Sequence, residues 1–343
     1  MNCIMVGNGF MGNVYLPLLL TRFERVAVVD RLPERLVSAN AAGPNVFVSD
    51  DVSLAVAATN PTVGFVLVNT PFHIAVIERL IAAGVKYIFV EKPLVMNWQE
   101  AIRVRSLAEN AKVEICTAYL INFSPAVAKL FDIMTGENLA VCQSMGIWWK
   151  NRTFDTRMTP GDDQDEMTHQ VRLFMLAIEF NQTIKNVQVS GRVTHLPFVN
   201  QATQQAAHIL DPSIPKRPSS SCTYILDVRT NEATSIMGSF QSSFISIVQQ
   251  REAHFTLARK DEPNKLGYLA RLAFDTPDGD ELEIVPAGVK AEPNRYVFES
   301  KNKVPDEIDG FLDLVRSGVG DNRLTRLSSA CGLVRLTESV ANR

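Results

Sequence analysis

The feature that most constrains the fold is the strict alternation of the first 120 residues. Short Val, Ile and Phe runs recur at 2–7 (NCIMVG), 25–30 (RVAVVD), 45–50 (NVFVSD), 63–69 (VGFVLVN), 87–92 (YIFVEK) and 114–119 (EICTAY). Helical patterns separate them at 10–22, 32–42, 53–58, 73–84 and 97–112. Strand–helix–strand units of this kind join by right-handed crossovers into a parallel sheet. The runs are continuously apolar rather than alternating, as expected for strands covered by helices on both faces. Pro17 falls inside the first helical pattern and predicts a kink and one missing hydrogen bond.

Beyond residue 120 the rhythm changes. A helix is expected over 124–136, a long strand over 139–150 and a helix over 164–181. Strand-like runs then follow without helices between them, at 186–193, 221–230, 232–243, 254–260, 268–276 and 281–287. The predicted class is α/β: an N-terminal doubly wound parallel sheet (residues 1–120), then an α+β domain (residues 121–343) with an open, mostly antiparallel sheet and C-terminal helices over 305–342. The Gln-, Ser- and Pro-rich stretch 196–220 reads as a long loop or insertion. Two domains also suit 343 residues.

With 46% apolar and 21% charged residues, a net charge of −3 and a mean hydropathy of +0.03, the chain reads as a globular protein without a nucleic-acid partner. No apolar run reaches the roughly 18 residues of a membrane helix, and no signal-peptide pattern opens the chain. Cys3, Cys116, Cys142, Cys222 and Cys331 are scattered, odd in number and without a CxxC pair. They read as reduced, mostly buried thiols of a cytoplasmic protein, with no metal site expected.

Three glycines interrupt the first strand–helix junction: Gly7-Asn8-Gly9-Phe10-Met11-Gly12 is a G-x-G-x-x-G between a strand and a helix. In that setting the first glycine permits a tight turn, the second removes a side chain where a pyrophosphate meets the helix N-terminus, and the third allows close helix packing. Asp30 ends the second strand, where a carboxylate accepts hydrogen bonds from an adenosine ribose diol and repels a 2′-phosphate. The cofactor reading is therefore NAD, with NADP disfavoured. Arg31, next in sequence, is placed to stack on adenine or to soften that repulsion. The competing reading is a plain glycine turn beside a solvated Asp.

The glycine motif, together with NTPFHIAVIERLIAAGVKYIFVEKPL (69–94), resembles the Gfo/Idh/MocA family of NAD(P)-dependent oxidoreductases. The resemblance covers nearly the whole chain and implies a Rossmann domain followed by an open-sheet α/β domain. It implies a Thr-Pro turn (Asn69, Thr70, Pro71), a His opening the next helix (His73) and a Glu-Lys-Pro after the fifth strand (Glu91, Lys92, Pro93), with Phe10 and Met11 beside the cofactor. It also implies an Asp and a His four residues apart on a pocket helix, here Asp165 and His169. By this resemblance Lys92, Asp165 and His169 form the catalytic group, and Tyr119 and Asn122 face nicotinamide and substrate. Met167, Arg172 and the run Gly161-Asp162-Asp163-Gln164 depart from the family pattern, which bears on subfamily and substrate rather than on reaction class.

The residue types suit hydride transfer. A lysine at the C-terminal end of a parallel strand, partly desolvated beside a cationic ring, is expected to have a lowered pKa and to polarise a hydroxyl or carbonyl. A histidine titrates near neutrality and suits the base. Asp165 would orient His169 or hold Lys92. The bland alternatives are a surface i,i+4 pair for Asp165–His169, and helix N-terminal charges for Asp162, Asp163, Asp165 and Glu166. His73 is either a cofactor contact or a polar helix-start residue. Of Trp148 and Trp149, one belongs to the core and the other borders substrate or an interface; Trp149 is taken as the substrate candidate. Lys150, Arg152 and Arg157 would suit a carboxylate or phosphate on the substrate, with Arg152 the candidate contact; the competing reading is a solvated rim. The reading is an NAD-dependent oxidoreductase of a cyclic polyol or sugar-like alcohol, working as a homodimer or homotetramer. An imine or ene reductase, a redox-neutral NAD-dependent glycosidase and a non-catalytic dinucleotide-binding regulator are the rivals.

Overall fold

The computed structural model describes residues 1–152, 161–194, 199–200, 205–206, 220–231, 235–262, 265–288, 290–299 and 303–341. Arg157 and most of 196–220 lie outside the described residues. The chain forms two units, Met1–Ala118 with Val304–Arg335, and Tyr119–Lys303 with Leu336–Arg343.

The first unit opens with the expected alternation: β1 (Asn2–Val6), α1 (Phe10–Leu20), β2 (Arg25–Val29), α2 (Pro33–Asn40), β3 (Val46–Ser49), α3 (Val52–Thr59), β4 (Val63–Val66), α4 (His73–Ala82), β5 (Tyr87–Val90), α5 (Trp98–Ala111) and β6 (Glu114–Thr117). A short 3-10 turn, Thr70–Phe72, precedes α4. Pro17 stands inside α1 without ending it. The helix ends are cut by local chemistry. Asn97 caps α5 by accepting from the Glu100 amide at 2.9 Å, and Asp51 caps α3 through the Leu54 amide at 2.8 Å.

The second unit begins with α6 (Pro125–Gly136) and β7 (Leu139–Asn151). Two helices follow, α7 (Asp162–Asp165) and α8 (Met167–Glu179), where one continuous helix was expected; the break falls at Glu166. Then come β8 (Ile184–Thr194), the two-residue strands β9 (Val199–Asn200) and β10 (Gln205–Ala206), β11 (Ser221–Thr230), β12 (Ser235–Ser243), β13 (Ile245–Arg259), β14 (Leu266–Thr276), β15 (Gly279–Pro286) and β16 (Asn294–Phe298). The chain then runs through α9 (Val304–Ser317), β17 (Thr325–Arg326) and α10 (Leu327–Ala341).

In the first unit the strand order is β17-β6-β5-β4-β1-β2-β3, parallel except for the antiparallel edge strand β17. The order reverses at β1, the switch point of a doubly wound sheet. Ile4, Val6, Val66, Ile88 and Val90 point to one face and form a core with residues of α3, α4, α5 and the start of α10. Phe65 and Phe89 point to the other, where Phe311 of α9 packs at 6.0 and 5.1 Å between ring centroids. The C-terminal helices were expected in the second domain. Phe311, together with the pairing of β17 with β6, places residues 304–335 in the first unit instead.

The second unit carries one large sheet, β16-β15-β14-β13-β7-β12-β11-β8, antiparallel except at β12–β7. One face is covered by α6 and α8; Phe174 of α8 meets Phe240 of β12 at 5.3 Å. On the opposite face Met145, Ile225, Met237, Leu269 and Val297 are exposed. The cysteines are all free. No helix among the described residues is long and apolar enough to cross a membrane.

Candidate active site

The three glycines of the first strand–helix turn have separate causes. Gly7 has φ +102°, and a Cβ on it would lie 2.7 Å from the Leu67 backbone. A Cβ on Gly12 would lie 2.4 Å from the Gly7 carbonyl oxygen, so this glycine lets α1 seat against the turn. At Gly9 the nearest protein atom to an added Cβ is the movable end of Arg35, at 3.5 Å. Protein packing explains Gly7 and Gly12 and gives no reason for a glycine at Gly9. A pyrophosphate approaching the α1 N-terminus supplies one, since α1 has no side-chain cap and no acidic residue in its first turn. The residues present therefore fit a dinucleotide.

Asp30 is almost fully buried. Its carboxylate accepts from the amides of Asn8 at 2.7 Å and Leu32 at 3.0 Å, and pairs with Arg35 at 3.3 Å. The preference for NAD rests on an uncompensated carboxylate; Arg35, which sequence reasoning missed, compensates it. Its five-residue offset from Asp30 was the available signal, one turn into α2. The Arg31 guanidinium lies 5.5 Å from the ring centre of Phe72, a second residue that motif reading did not single out.

Lys92 is half-buried, two residues past β5, and its bond to Pro93 is cis. Its amide donates to Glu91 Oε2 at 3.2 Å, and the Tyr15 hydroxyl bonds to the same carboxylate. His73 opens α4, as the helix-start reading has it. It is buried, with its ring nitrogens against backbone carbonyls rather than turned outward. Asn69, Thr70 and Pro71 form the turn after β4, closed by the Phe72 amide donating to the Asn69 carbonyl at 2.9 Å.

In the second unit the even-numbered residues of β7 face α7 and α8. A Cβ on Gly146 would strike Gln170 Oε1 at 2.4 Å. Trp148 stacks on His169, with centroids 5.7 Å apart and planes 9° from parallel, and Tyr119 meets the same imidazole edge-on at 5.5 Å. Trp148 Nε1 donates to Glu166 Oε2 at 2.5 Å, and Lys150 pairs with the other oxygen of that carboxylate. Arg152 pairs with Asp165. Arg251 lies 3.8 Å from Glu166 and 5.3 Å from the centre of the Trp148 ring.

This arrangement revises several expectations. Trp148, not Trp149, lies beside His169; strand alternation turns Trp149 to the other face, in a groove of about 410 Å³ with Arg192, Thr223 and Gln241. Asp165 and His169 do not share one unbroken helix, and Asp165 is engaged by Arg152. The Lys150 and Arg152 charges, read as anion-binding, are met by Glu166 and Asp165. Burial pushes the Lys150 pKa down, and Glu166 and Asp165 oppose that shift. Asp162, Asp163 and Asp165 do stand in the first turn of α7, and Asp162, Asp163 and Glu166 are buried. Asn122 is buried in the 3-10 turn Leu120–Phe123, after Tyr119.

Residues 1–119 match the model of an oxidoreductase family with an NAD-binding Rossmann fold, GFO_IDH_MocA. No curated protein sequence matches the chain. Among solved structures, UDP-N-acetylglucosamine 3-dehydrogenase GnnA from Acidithiobacillus ferrooxidans is 15% identical at a TM-score of 0.72, over 99% of this chain and 96% of that one. GenD2 from gentamicin A biosynthesis, solved with NAD, is 17% identical at 0.71, over 100% and 93%. The 3-ketoreductase KijD10 from Actinomadura kijaniata, solved with NADP and TDP-benzene, is 13% identical at 0.73, over 100% and 97%. At these identities the likeness is one of fold across the whole chain.

The glycine analysis separates two variants. Gly12→Ala should destabilise the protein by roughly 1–3 kcal/mol or more, because the clash is with backbone. Gly9→Ala should melt like the wild type yet bind NADH at least about tenfold more weakly, the pyrophosphate contact being lost. Thermal melts and calorimetric titration check both; equal melting losses would contradict the assignment.

Asp162 gives a pH signature. Ser242 donates to its Oδ1 at 2.6 Å, and burial raises its pKa well above the ordinary carboxylate range. The folded state therefore holds this proton more tightly than the unfolded chain. Its stabilising effect is complete below about pH 4 and is lost as pH rises toward the raised folded pKa. Asp162→Asn keeps an oxygen for Ser242 and removes the titration. Its melting temperature relative to wild type should rise steadily between about pH 5 and about pH 8. A constant difference across that range would refute this.

Proposed function

We propose that the protein is an NAD(P)-dependent oxidoreductase that moves a hydride between nicotinamide and a secondary alcohol or ketone carbon of a sugar-like ring. The observation that carries this reading is Gly9, a glycine that packing does not require, at the point where a pyrophosphate would meet α1. The dehydrogenase and ketoreductase named above, one acting on a UDP-linked sugar and the other solved with a TDP compound, support a sugar, free or nucleotide-linked, as substrate class.

A bound nicotinamide supplies the hydride donor or acceptor. The chain supplies the rest. Gly7, Gly9, Phe10, Met11 and Gly12 receive the pyrophosphate, Asp30 and Arg31 the adenosine end, and Asn69, Thr70, Pro71 and Glu91 the loops on the nicotinamide side. With Arg31 and Arg35 beside Asp30, a 2′-hydroxyl and a 2′-phosphate both have partners, so the reading extends to NADP. Lys92 polarises the reacting oxygen. His169, its ring plane set by Trp148 and Tyr119, takes or returns the proton. Asp165, held by Arg152, sets the charge one turn before it. Tyr119 and Asn122 contribute to the substrate side. The buried ion pairs leave little free positive charge near His169, which favours hydroxyl recognition over an anionic ring substituent.

Purified protein given NAD or NADP and a panel of inositols, free sugars, uronates and nucleotide sugars should generate reduced cofactor with at least one member. Lys92→Ala should lower kcat by roughly 10²–10⁴-fold while retaining cofactor binding. A wild-type rate in that variant would remove Lys92 from the mechanism. Leaving-group release without net reduction would point to a redox-neutral lyase or glycosidase, and binding without turnover on any substrate to a regulator.

A homo-oligomer is part of the same proposal. The exposed Met145, Ile225, Met237, Leu269 and Val297 share the uncovered face of the second sheet. These apolar side chains, with the Arg271–Glu252 and Arg271–Glu283 ion pairs among them, suit a cover by a second copy, which buries the apolar groups and can pair the charges. Sedimentation at micromolar concentration should show a dimer or tetramer, and Met145→Asp with Met237→Asp should shift it toward monomer. A monomeric wild type would count against this part.

A further inference from the structure

His73 opens α4 with its ring 1% exposed. Nε2 lies 2.9 Å from the Val68 carbonyl oxygen, and Nδ1 lies 3.0 and 3.1 Å from those of Pro93 and Leu94. Val68 follows β4, and Pro93 and Leu94 follow β5, the adjacent parallel strand. One imidazole therefore lies between two loops at the carboxyl ends of neighbouring strands, where doubly wound sheets bind ligands. Burial lowers its pKa, and the neutral ring donates its one N–H to a carbonyl of one loop while packing against the other. One loop carries Asn69, Thr70 and Pro71, and the other carries Glu91 and Lys92.

The second loop needs such a tie. Its last sheet-like bond is the Glu91 amide donating to the Val66 carbonyl at 2.9 Å. Beyond it, side chains hold the turn: Glu91 accepts from the Lys92 amide, and Glu100 accepts from the Met96 amide at 3.0 Å. His73 engages the carbonyls between those two points. Leu94 and Val95 are buried, so the backbone there is anchored from beneath. Proton transfer is sensitive to such anchoring, since a misplacement of about 1 Å can lower a rate about 10²-fold.

We propose that His73 is a positioning residue that ties the Val68–Phe72 loop to the Lys92–Pro93 turn and so fixes where the Lys92 ammonium stands. The proposal rests on the reading of Lys92 as the group that polarises the reacting oxygen. In this role His73 acts through the two loops and not on the reacting atoms. Leucine at this position fills the space and donates nothing. Glutamine keeps an N–H donor that serves at least one loop.

The test compares full-length wild type, His73→Leu, His73→Gln and Lys92→Ala. Competitive acylation of the native protein with acetic anhydride, read by mass spectrometry, measures Lys92 reactivity against Lys86 and Lys112 as internal references. His73→Leu should change the Lys92 rate at least about fivefold with the references within about twofold. It should lower kcat at least about tenfold with NADH affinity within about threefold, and His73→Gln should recover most of both losses. A Lys92 rate in His73→Leu within about twofold of wild type overturns the proposal. So does a parallel change at all three lysines, which reports general loosening. Should His73→Leu not fold, His73→Asn is read by the same criteria. Wild-type turnover in Lys92→Ala would end the reading of Lys92, while the acylation ratio would still report the tie between the loops.

Discussion

The close approach of three backbone segments at the first strand–helix turn is the constraint on which the first unit depends. Gly7, Gly12 and Leu67 meet at distances that leave no room for a methyl group. The contact sets where α1 leaves the sheet, and therefore where its N-terminal amides point. It also brings the end of β4 beside the end of β1, so that the loops after β1, β2, β4 and β5 gather along one edge of the sheet. Asp30 works within the same arrangement. By accepting from the Asn8 and Leu32 amides it closes the β1 and β2 loops onto each other, with Arg35 balancing its charge. An acidic residue at this position thus has a structural role within the protein itself.

The second unit solves a different problem, that of placing charged groups in a dry interior. A buried ion is tolerated when it is paired and hydrogen-bonded. Glu166 meets Lys150, Arg251 and the Trp148 indole, and Asp165 meets Arg152. Lys303 lies 3.2 Å from Asp275 and 3.0 Å from Asp280, and Asp275 also pairs with Arg251. Asp162, without a cation among its hydrogen-bond partners, is driven toward its neutral form, with Ser242 and Cys222 as donors. A residue count near the site shows abundant positive charge; the pairing shows that most of it is already answered.

Much of the first unit was legible because its information is local. β1 and β2 are buried on both faces, so their continuous apolar runs and flanking turn residues are an unambiguous pattern. The glycine spacing, Thr70-Pro71 and Glu91-Lys92-Pro93 are contiguous motifs. What was not legible depended on tertiary direction. Alternation says that Trp148 and Trp149 face opposite ways without saying which way is inward. The helix Val304–Ser317 carries an amphipathic pattern that does not state which core it joins. β16 and the first half of β13 were missed because a strand at or beyond a sheet's edge can be polar and irregular, as the exposed Gln249 and Asn294 illustrate. The carbonyl partners of His73 were not foreseen by either reading, cofactor contact or polar helix start, because a histidine's partners, when they are distant carbonyls, leave no trace in spacing.

The break between α7 and α8 shows how a local irregularity serves the site. A continuous helix would set Asp165 and His169 on one face, a turn apart. Instead Glu166 closes α7 and opens α8, and its carboxylate reaches across to β7 and β13. The irregular residue is thereby fastened to the sheet rather than left to fray. Its hydrogen bond to the Trp148 indole fixes the plane against which His169 stacks, while Tyr119 limits the imidazole from its edge. The orientation of a proton-transfer candidate on one helix is thus set by the sheet beneath it, through an aromatic ring and a carboxylate. That explains why the motif's two polar residues alone do not describe the site: the residue between them, which no spacing rule selects, supplies the geometry.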